Sequence, residues 1–425
     1  MILRISFERG ADRLIFSIFS EKNDRLRSPN FGSHRQFMYK TSDESPFPEV
    51  HPDRLALVAL LNTLPFVGET LHIGWQVSEK FLEATKIISR IKINSIEGKI
   101  EPISRSSSGR HALSFSGGAD STAALAVMPH STEPVFMLRS ESKSRTLYDS
   151  QAAVESCRQL SRLGYRVHII ESDFEYLREP IGFPTDLSVS TPAILIAESR
   201  DFESIAFGTI LESSFGTSGK SFRNYSDSSH FRLWKPLFES VGLGYSLPVA
   251  GVSEVASSII CRNHPIGRVH QSCIRGKWGN PCNNCWKCFR KITLISALNE
   301  EKLPISTVEM MRKSKEVKLR LIEDKPIKHE GVITYSLERA SGGGEITQSL
   351  RLLTRVGEIK TDWMQHWYPK SLDLIDPSYQ KHTESLLIEL LGEMNQNQIQ
   401  NLESWSNPHD EKREEKLEKF VRLLD

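Results

Sequence analysis

Apolar residues recur at helical spacing at Leu55, Val58, Leu61 and Leu64. They do so again at Phe81, Ala84, Ile87 and Ile91, behind Ser78, a residue type suited to cap a helix N-terminus. The run Leu14–Phe19 predicts a short strand, so residues 1–108 read as an α+β region. A polar stretch over 101–110, with serines at 106, 107 and 108, reads as a linker. From His111 the pattern changes to short apolar runs alternating with helical segments. Strands are predicted at 112–115, 134–138, 167–170 and 204–208. Helices are predicted at 119–128, up to Gly164 as a C′ residue, and at 191–200. This βαβ rhythm predicts an α/β fold with a parallel, doubly wound sheet over 109–300. The serine-rich segment 212–232 reads as a long loop. Beyond 300 come a basic stretch from Lys302 to Lys328, a predicted strand at 331–337 and then helices. Stripes at Leu386, Leu387, Leu390 and Leu391, and at Leu417, Phe420, Val421 and Leu424, mark faces that dock. The region 301–425 is therefore expected to be mostly helical.

A length of 425 residues predicts two or three domains, and 39% hydrophobic with 25% charged residues describes a globular chain. With 54 basic and 53 acidic residues the net charge is +1, which supplies no overall field for nucleic acid or anionic membrane. Met1–Ser6 lacks the basic and apolar features of a signal peptide, and no apolar run reaches membrane-spanning length, so a cytoplasmic protein is expected. Six cysteines are too few for a disulfide scaffold, yet four of them fall between positions 273 and 288.

Two short segments carry candidate chemistry. Ser116-Gly117-Gly118-Ala119-Asp120-Ser121 lies between the first strand and first helix of the doubly wound region, where anionic ligands bind. The glycines let backbone approach a phosphate, the Ser116 and Ser121 hydroxyls can donate to its oxygens, and Asp120 suits a Mg²⁺ that bridges to it. A Walker A lysine is absent here; the nearest approach, Gly219-Lys220-Ser221, has Ser214 where the first glycine should stand. The second segment, Cys273, Cys282, Cys285 and Cys288, spaces four thiols as C-x₈-C-x₂-C-x₂-C, which suits a closed, structural Zn²⁺ shell. Cys157 and Cys261 read as small buried hydrophobes.

The S-G-G-x-D-S loop after an apolar strand resembles the signature of PP-loop ATP pyrophosphatases, which cleave ATP to AMP and pyrophosphate. The loop followed about 150 residues later by the four cysteines is similar to the 7-cyano-7-deazaguanine synthase (QueC) family over roughly 111–295. That resemblance implies a PP-loop fold. It implies an ATP and Mg²⁺ site built on Phe115, Ser116, Gly117, Gly118, Ala119, Asp120, Ser121, Thr122 and Leu125, with Arg139 nearby, and a Zn²⁺ site on the four cysteines. It places Asp120 and Ser121 at the catalytic centre and implies activation of a carboxylated 7-deazaguanine for transfer to an amine. Several acceptor-side positions differ from the family pattern, at Leu138–Glu141, Ser188–Thr191 and Phe222–Tyr225. With the added flanking regions, these departures resemble the versions found in anti-phage defence, implying a protein amine as acceptor in place of ammonia. Arg139, Lys143, Lys220 and Arg223 are candidate partners for phosphate charge. Nitrile formation with ammonia and a non-catalytic nucleotide-binding scaffold are the alternatives.

Overall fold

The computed structural model describes residues 2–9, 13–20, 30–41, 47, 50–140, 148–219, 221–406 and 412–424. Its centre is a ten-stranded, mostly parallel sheet. The strands are β1 (Ile2–Arg9), β2 (Arg13–Ser20), β3 (Gln36–Lys40), β4 (Thr70–Ile73), β5 (Lys92–Ser95), β6 (His111–Phe115), β7 (Glu133–Arg139), β8 (His168–Ser172), β9 (Ser204–Phe207) and β10 (Gly244–Ser246). Their order is β10-β9-β6-β7-β8-β3-β2-β1-β4-β5. The strands β10, β9, β6, β7 and β8 run parallel; β3 joins β8, and β2 and β1 follow, in antiparallel pairs; β4 and β5 return to parallel. The expected boundary near 108 lies in coil, but the sheet crosses it: Tyr39 and Lys40 pair with Ser172 and Glu171.

From β6 the chain steps outward through β7 to β8, then returns to the other side of β6 as β9 and continues to β10. The direction of winding therefore reverses between β6 and β9. At such a switch point the connections leave a crevice at the carboxyl ends of the strands.

Burial follows the two-residue period of a strand covered on both faces. Leu113, Phe115, Phe136 and Ala206 enter one apolar cluster, with helices α3 (Ala119–Val127), α4 (Gln151–Arg162) and α8 (Glu254–Asn263). Ala112, Val135, Met137, Ile205 and Phe207 enter the other, with α1 (Pro52–Thr63), α5 (Thr191–Ile196) and α7 (Ser229–Ser240). The short helices α2 (Glu79–Thr85) and α6 (Leu211–Ser214) complete this part, and the Ser78 side chain caps α2 by accepting from the Phe81 amide. Gly164 has φ +89°, as the helix-terminating reading requires.

Helix α9 (Trp286–Leu298) leads out of the cysteine segment into α10 (Ile305–Lys313), α11 (Lys315–Ile322), α12 (Glu330–Arg339), α13 (Gly344–Leu353), α14 (Gln380–Leu391), α15 (Gln396–Glu403) and α16 (Arg413–Leu424). The 301–425 region is thus mostly helical, and α16 buries Leu417, Phe420 and Leu424 as its stripe predicts. Two sequence expectations are corrected. Residues 331–337 form helix α12 instead of a strand: all of Gly331 to Leu337 is buried, so the segment has no polar face to show a helical period. The 212–232 segment is not one loop, because α6 opens it and α7 closes it, with the Ser228 side chain capping α7 through the Phe231 amide.

Candidate functional site

The loop 116–121 stands at the switch point. Gly117 has φ +75°, which glycine adopts without strain, and its turn aims the next amides at the crevice. Gly118, by contrast, has an ordinary φ of −90°, and a Cβ built there would meet only the Ser116 hydroxyl, at 3.5 Å. Its missing side chain leaves room above the loop. The Ser116 and Ser121 hydroxyls are 3.0 Å apart, and the Ser121 hydroxyl accepts from the Ser116 amide and donates to the Gly118 carbonyl. A segment from the cysteine region holds the loop from outside. The Gln271 amide donates to the Gly117 carbonyl at 2.9 Å, and the Ser272 hydroxyl accepts from the Ala119 amide at 3.4 Å. Gly208, just past β9, packs on the loop: a Cβ there would lie 2.8 Å from the Ser121 backbone.

Asp120 is held by the Ser257 hydroxyl of α8, which donates to its Oδ1 at 3.0 Å. Beside them Glu254 is buried and meets Arg290 at 3.1 Å, Lys291 at 3.2 Å and His329 at 3.7 Å. Burial opposes ionisation of Glu254, but the charges of Arg290 and Lys291 overcome it and hold its carboxyl well below the usual range. Glu212 is buried as well, and both its oxygens accept from the Glu254 amide at the start of α8. Burial, with the Glu254 charge behind it, pushes Glu212 up to about 8. Burial beside Arg290 lowers His329 to about 3, leaving a neutral imidazole.

Of these groups Asp120, Glu254, Arg290 and His329 line a cleft of about 560 Å³. Ser116, Asp120 and Ser121 form one wall, and Lys287, Arg290, Arg320 and Lys328 line the cleft from the end of the cysteine segment and the region beyond. Lys287 and Lys328 form no ion pair among the described residues. Three buried atoms of cleft residues have no hydrogen-bond partner among the described residues: Arg290 Nε, His329 Nδ1 and Trp286 Nε1. Buried polar atoms of this kind are normally satisfied, so their concentration here marks a place that receives a ligand or solvent.

The remaining loop residues act from behind. Phe115, Thr122 and Leu125 are buried beneath the loop, and Ala119 opens the helix. Arg139, at the end of β7, lies outside the cleft lining: it pairs with Glu175 at 3.4 Å between the rings of Tyr148 and Phe183. Arg223 packs on Gly216 and also stands outside the lining. Lys143 and Lys220 lie outside the described residues. Sequence reading missed Glu212, Gly208, Ser257 and His329. It noted the basic stretch ending at Lys328 without placing it here, since no local signal ties position 328 to position 120.

The four cysteine sulfurs lie within 4.8 Å of one another, with Cys282 and Cys288 3.8 Å apart. Sulfurs about 2.3 Å from a tetrahedral Zn²⁺ stand about 3.8 Å apart, so the spacing fits such an ion. Hydrogen bonding from the neighbouring Cys288 thiol lowers Cys285 to about 5, while burial pushes Cys282 up to about 11. Four thiolates this close need a cation between them. The cluster could therefore hold a metal such as zinc, and all four positions of its shell would be protein sulfur. Cys157 and Cys261 are buried and raised to about 12 by that burial, as expected of inert thiols.

A family model described as a family of unknown function (DUF6395) matches residues 233–406. The matched stretch contains the cysteines and the facing cations but leaves out the 116–121 loop. No curated protein and no solved structure matches the chain. No helix among the described residues is long and apolar enough to cross a membrane.

Proposed function

We propose that this chain is an ATP-dependent ligase of the PP-loop type, which cleaves ATP to AMP and pyrophosphate to join a carboxylate to an amine. One observation carries the reading: Ser116, Asp120 and Ser121 face Lys287, Arg290 and Lys328 across a single cleft at the switch point of a parallel sheet. Helix α3 brings the positive end of its dipole and unbonded amides to this place, which favours a polyanion. The facing cations oppose the charge that a leaving pyrophosphate develops.

In this reading the loop amides and the Ser116 and Ser121 hydroxyls hold the β- and γ-phosphates. A carboxylate oxygen of the substrate attacks the α-phosphorus, the bond from that phosphorus to the α,β-bridging oxygen breaks, and the β- and γ-phosphates leave as pyrophosphate. An amine nitrogen then attacks the acyl carbon of the adenylate, loses a proton and expels AMP. Asp120, the loop carboxylate held by Ser257, is the residue that would carry Mg²⁺, which would neutralise phosphate charge when bound. Zn²⁺ on Cys273, Cys282, Cys285 and Cys288 would fix the segment that grips the loop through Gln271 and Ser272.

The carboxylated 7-deazaguanine substrate, the protein amine as acceptor and the setting in cytoplasmic anti-phage defence come from the motif resemblance alone. The test is incubation with ATP, Mg²⁺, 7-carboxy-7-deazaguanine and either ammonium or co-expressed partner proteins. AMP should appear only with the carboxylate present, and Asp120→Ala should lower its rate at least about a hundredfold. An Asp120→Ala protein with unchanged turnover would overturn the reading. ATP binding with no turnover under any acceptor would favour a nucleotide-binding scaffold.

A further inference from the structure

A hollow of about 730 Å³ shares no residue with the cleft. It forms where three segments meet. The end of α4 brings Arg162 and Leu163, the end of α8 and the turn after it bring Arg262, His264 and Arg268, and the cysteine loop brings Trp278. The first two segments also hold the phosphate loop from behind. Ala153 of α4 lies 3.2 Å from where a Cβ on Gly117 would stand, the Ser156 hydroxyl donates to the Val269 carbonyl, and the Gln271 amide donates to the Gly117 carbonyl.

The lining carries three guanidinium groups and no carboxylate. In a chain with 54 basic and 53 acidic residues, surroundings of one sign do not follow from composition. The arginines differ in how far the fold explains them. Arg162 and Arg262 stand in the last turns of their helices, where a cation offsets the helix dipole. Arg162 also meets Glu155 at 3.7 Å, and Arg262 donates to the Leu298 carbonyl at 2.7 Å. Arg268 is exposed on the turn after α8 and has no ion-pair partner among the described residues. His264 Nδ1 accepts from the Ile266 amide at 3.3 Å, so the neutral ring keeps its proton on Nε2 and offers a further donor. Two apolar surfaces stand beside these donors. The Trp278 ring is half-buried and stacks on no other ring among the described residues, and Leu163 is 46% exposed.

We propose that this hollow binds single-stranded nucleic acid, with one unpaired base against Trp278 and Leu163 and the flanking phosphates at Arg268, Arg162 and Arg262. Guanidinium groups meet phosphate oxygens through paired N–H donors, and an indole beside them takes the face of any base. A hollow of this size takes one or two nucleotides. Arg166, four residues past Arg162, and Lys277, next to Trp278, are exposed cations that extend the surface for further phosphates. A base stacked inside a duplex does not present its face, so the indole selects single strands. An acidic peptide would satisfy the guanidinium groups and leave the indole uncovered. The assignment is independent of what the cleft holds.

The test is fluorescence anisotropy of the full chain with a labelled single-stranded RNA of about twelve nucleotides, mixed in sequence, between about 50 and 200 mM salt. Trp278→Ala should weaken binding at least about fivefold, and Trp278→Phe less than about twofold, because the phenyl ring keeps a face for the base. Arg268→Ala should weaken it at least about threefold and flatten the slope of log affinity against log salt by about 0.7, the share of one phosphate contact. An unchanged melting temperature verifies that these variants fold, and the exposed position of Arg268 keeps the test decisive if Trp278→Ala does not. Duplex RNA and inorganic polyphosphate should each bind wild type at least about fivefold more weakly, the first because its bases are stacked away and the second because it has none. Equal affinity of wild type, Trp278→Ala and Arg268→Ala would overturn the assignment. So would displacement of the RNA by Mg²⁺–ATP, which would place the strand in the cleft. Polyphosphate or a polyglutamate peptide that binds as tightly as the RNA would overturn it as well, leaving a site for anions alone.

Discussion

Replacing Glu254 by glutamine removes the carboxylate that pairs with both Arg290 and Lys291 at the base of the cleft. Its side chain is 2% exposed, and the two cations at 3.1 and 3.2 Å are 8% and 17% exposed. Breaking a buried pair from one side leaves an uncompensated charge and costs about 3–5 kcal/mol, against at most about 1 kcal/mol for an exposed pair. Three facts set Glu254→Gln in the upper class: the partner is buried, it is doubly paired, and its backbone amide is locked by Glu212. Replacing both Glu254 and Arg290 by leucine should cost less than Glu254→Gln alone, because a pair swapped for apolar groups leaves less unpaired charge. The assay is the urea unfolding midpoint at pH 7, with the slope checked for constancy. A loss below about 1 kcal/mol for Glu254→Gln would refute the reasoning, since it would mean that water reaches this centre freely.

Three further predictions follow from other parts of the molecule. Burial pushes Glu133 up, but His168 at 2.7 Å and a two-pronged contact from Arg200 outweigh it and lower the carboxyl from 4.5 to about 2. A folded-state value below the unfolded one stabilises above pH 4.5 and is lost as pH falls towards 2. The difference is worth about 3 kcal/mol, so Glu133→Gln should be less stable at neutral pH and show a flatter loss between pH 4.5 and 2 in acid titrations. Reduced protein should carry one zinc per chain by elemental analysis, and Cys285→Ser should lose it together with several kcal/mol of the roughly 10 kcal/mol that a structural zinc site can contribute. Gly208→Ala should reduce ATP affinity at least tenfold at a cost of about 1–3 kcal/mol in stability, because its Cβ would meet the Ser121 backbone and push the loop aside. Binding and unfolding measured on the same preparation check this.

What could be read from the chain was what short-range rules encode. The strand-loop-helix unit at 111–127 announced itself through a short run at 112–115, a glycine turn and a helix, and Ser78 and Gly164 did the same for helix ends. The segment 331–337 misled because its β-branched and aromatic residues are buried all round, so tertiary packing outweighs local preference. The serines of 212–232 read as loop formers, yet Ser214 sits inside α6 bonded to the Ile210 and Ala250 carbonyls, and Ser228 caps α7. Of the candidate site, the loop and the cysteines were legible because each is contiguous or nearly so. The far part of the opposing wall was not: Arg320 and Lys328 meet Asp120 only after the intervening strands and helices have folded. The joining of the N-terminal strands to β8 was hidden for the same reason, since edge pairing at Tyr39 and Lys40 leaves no mark in either segment alone.

The central claim is that the loop leaves the innermost phosphorus of ATP as the electrophile, and the bond that breaks reports on it directly. Phosphorus NMR of the reaction mixture, with ATP, Mg²⁺ and a carboxylate substrate, distinguishes the two possible cleavages. Resonances of AMP and pyrophosphate rising together are the predicted result; ADP with orthophosphate would contradict it.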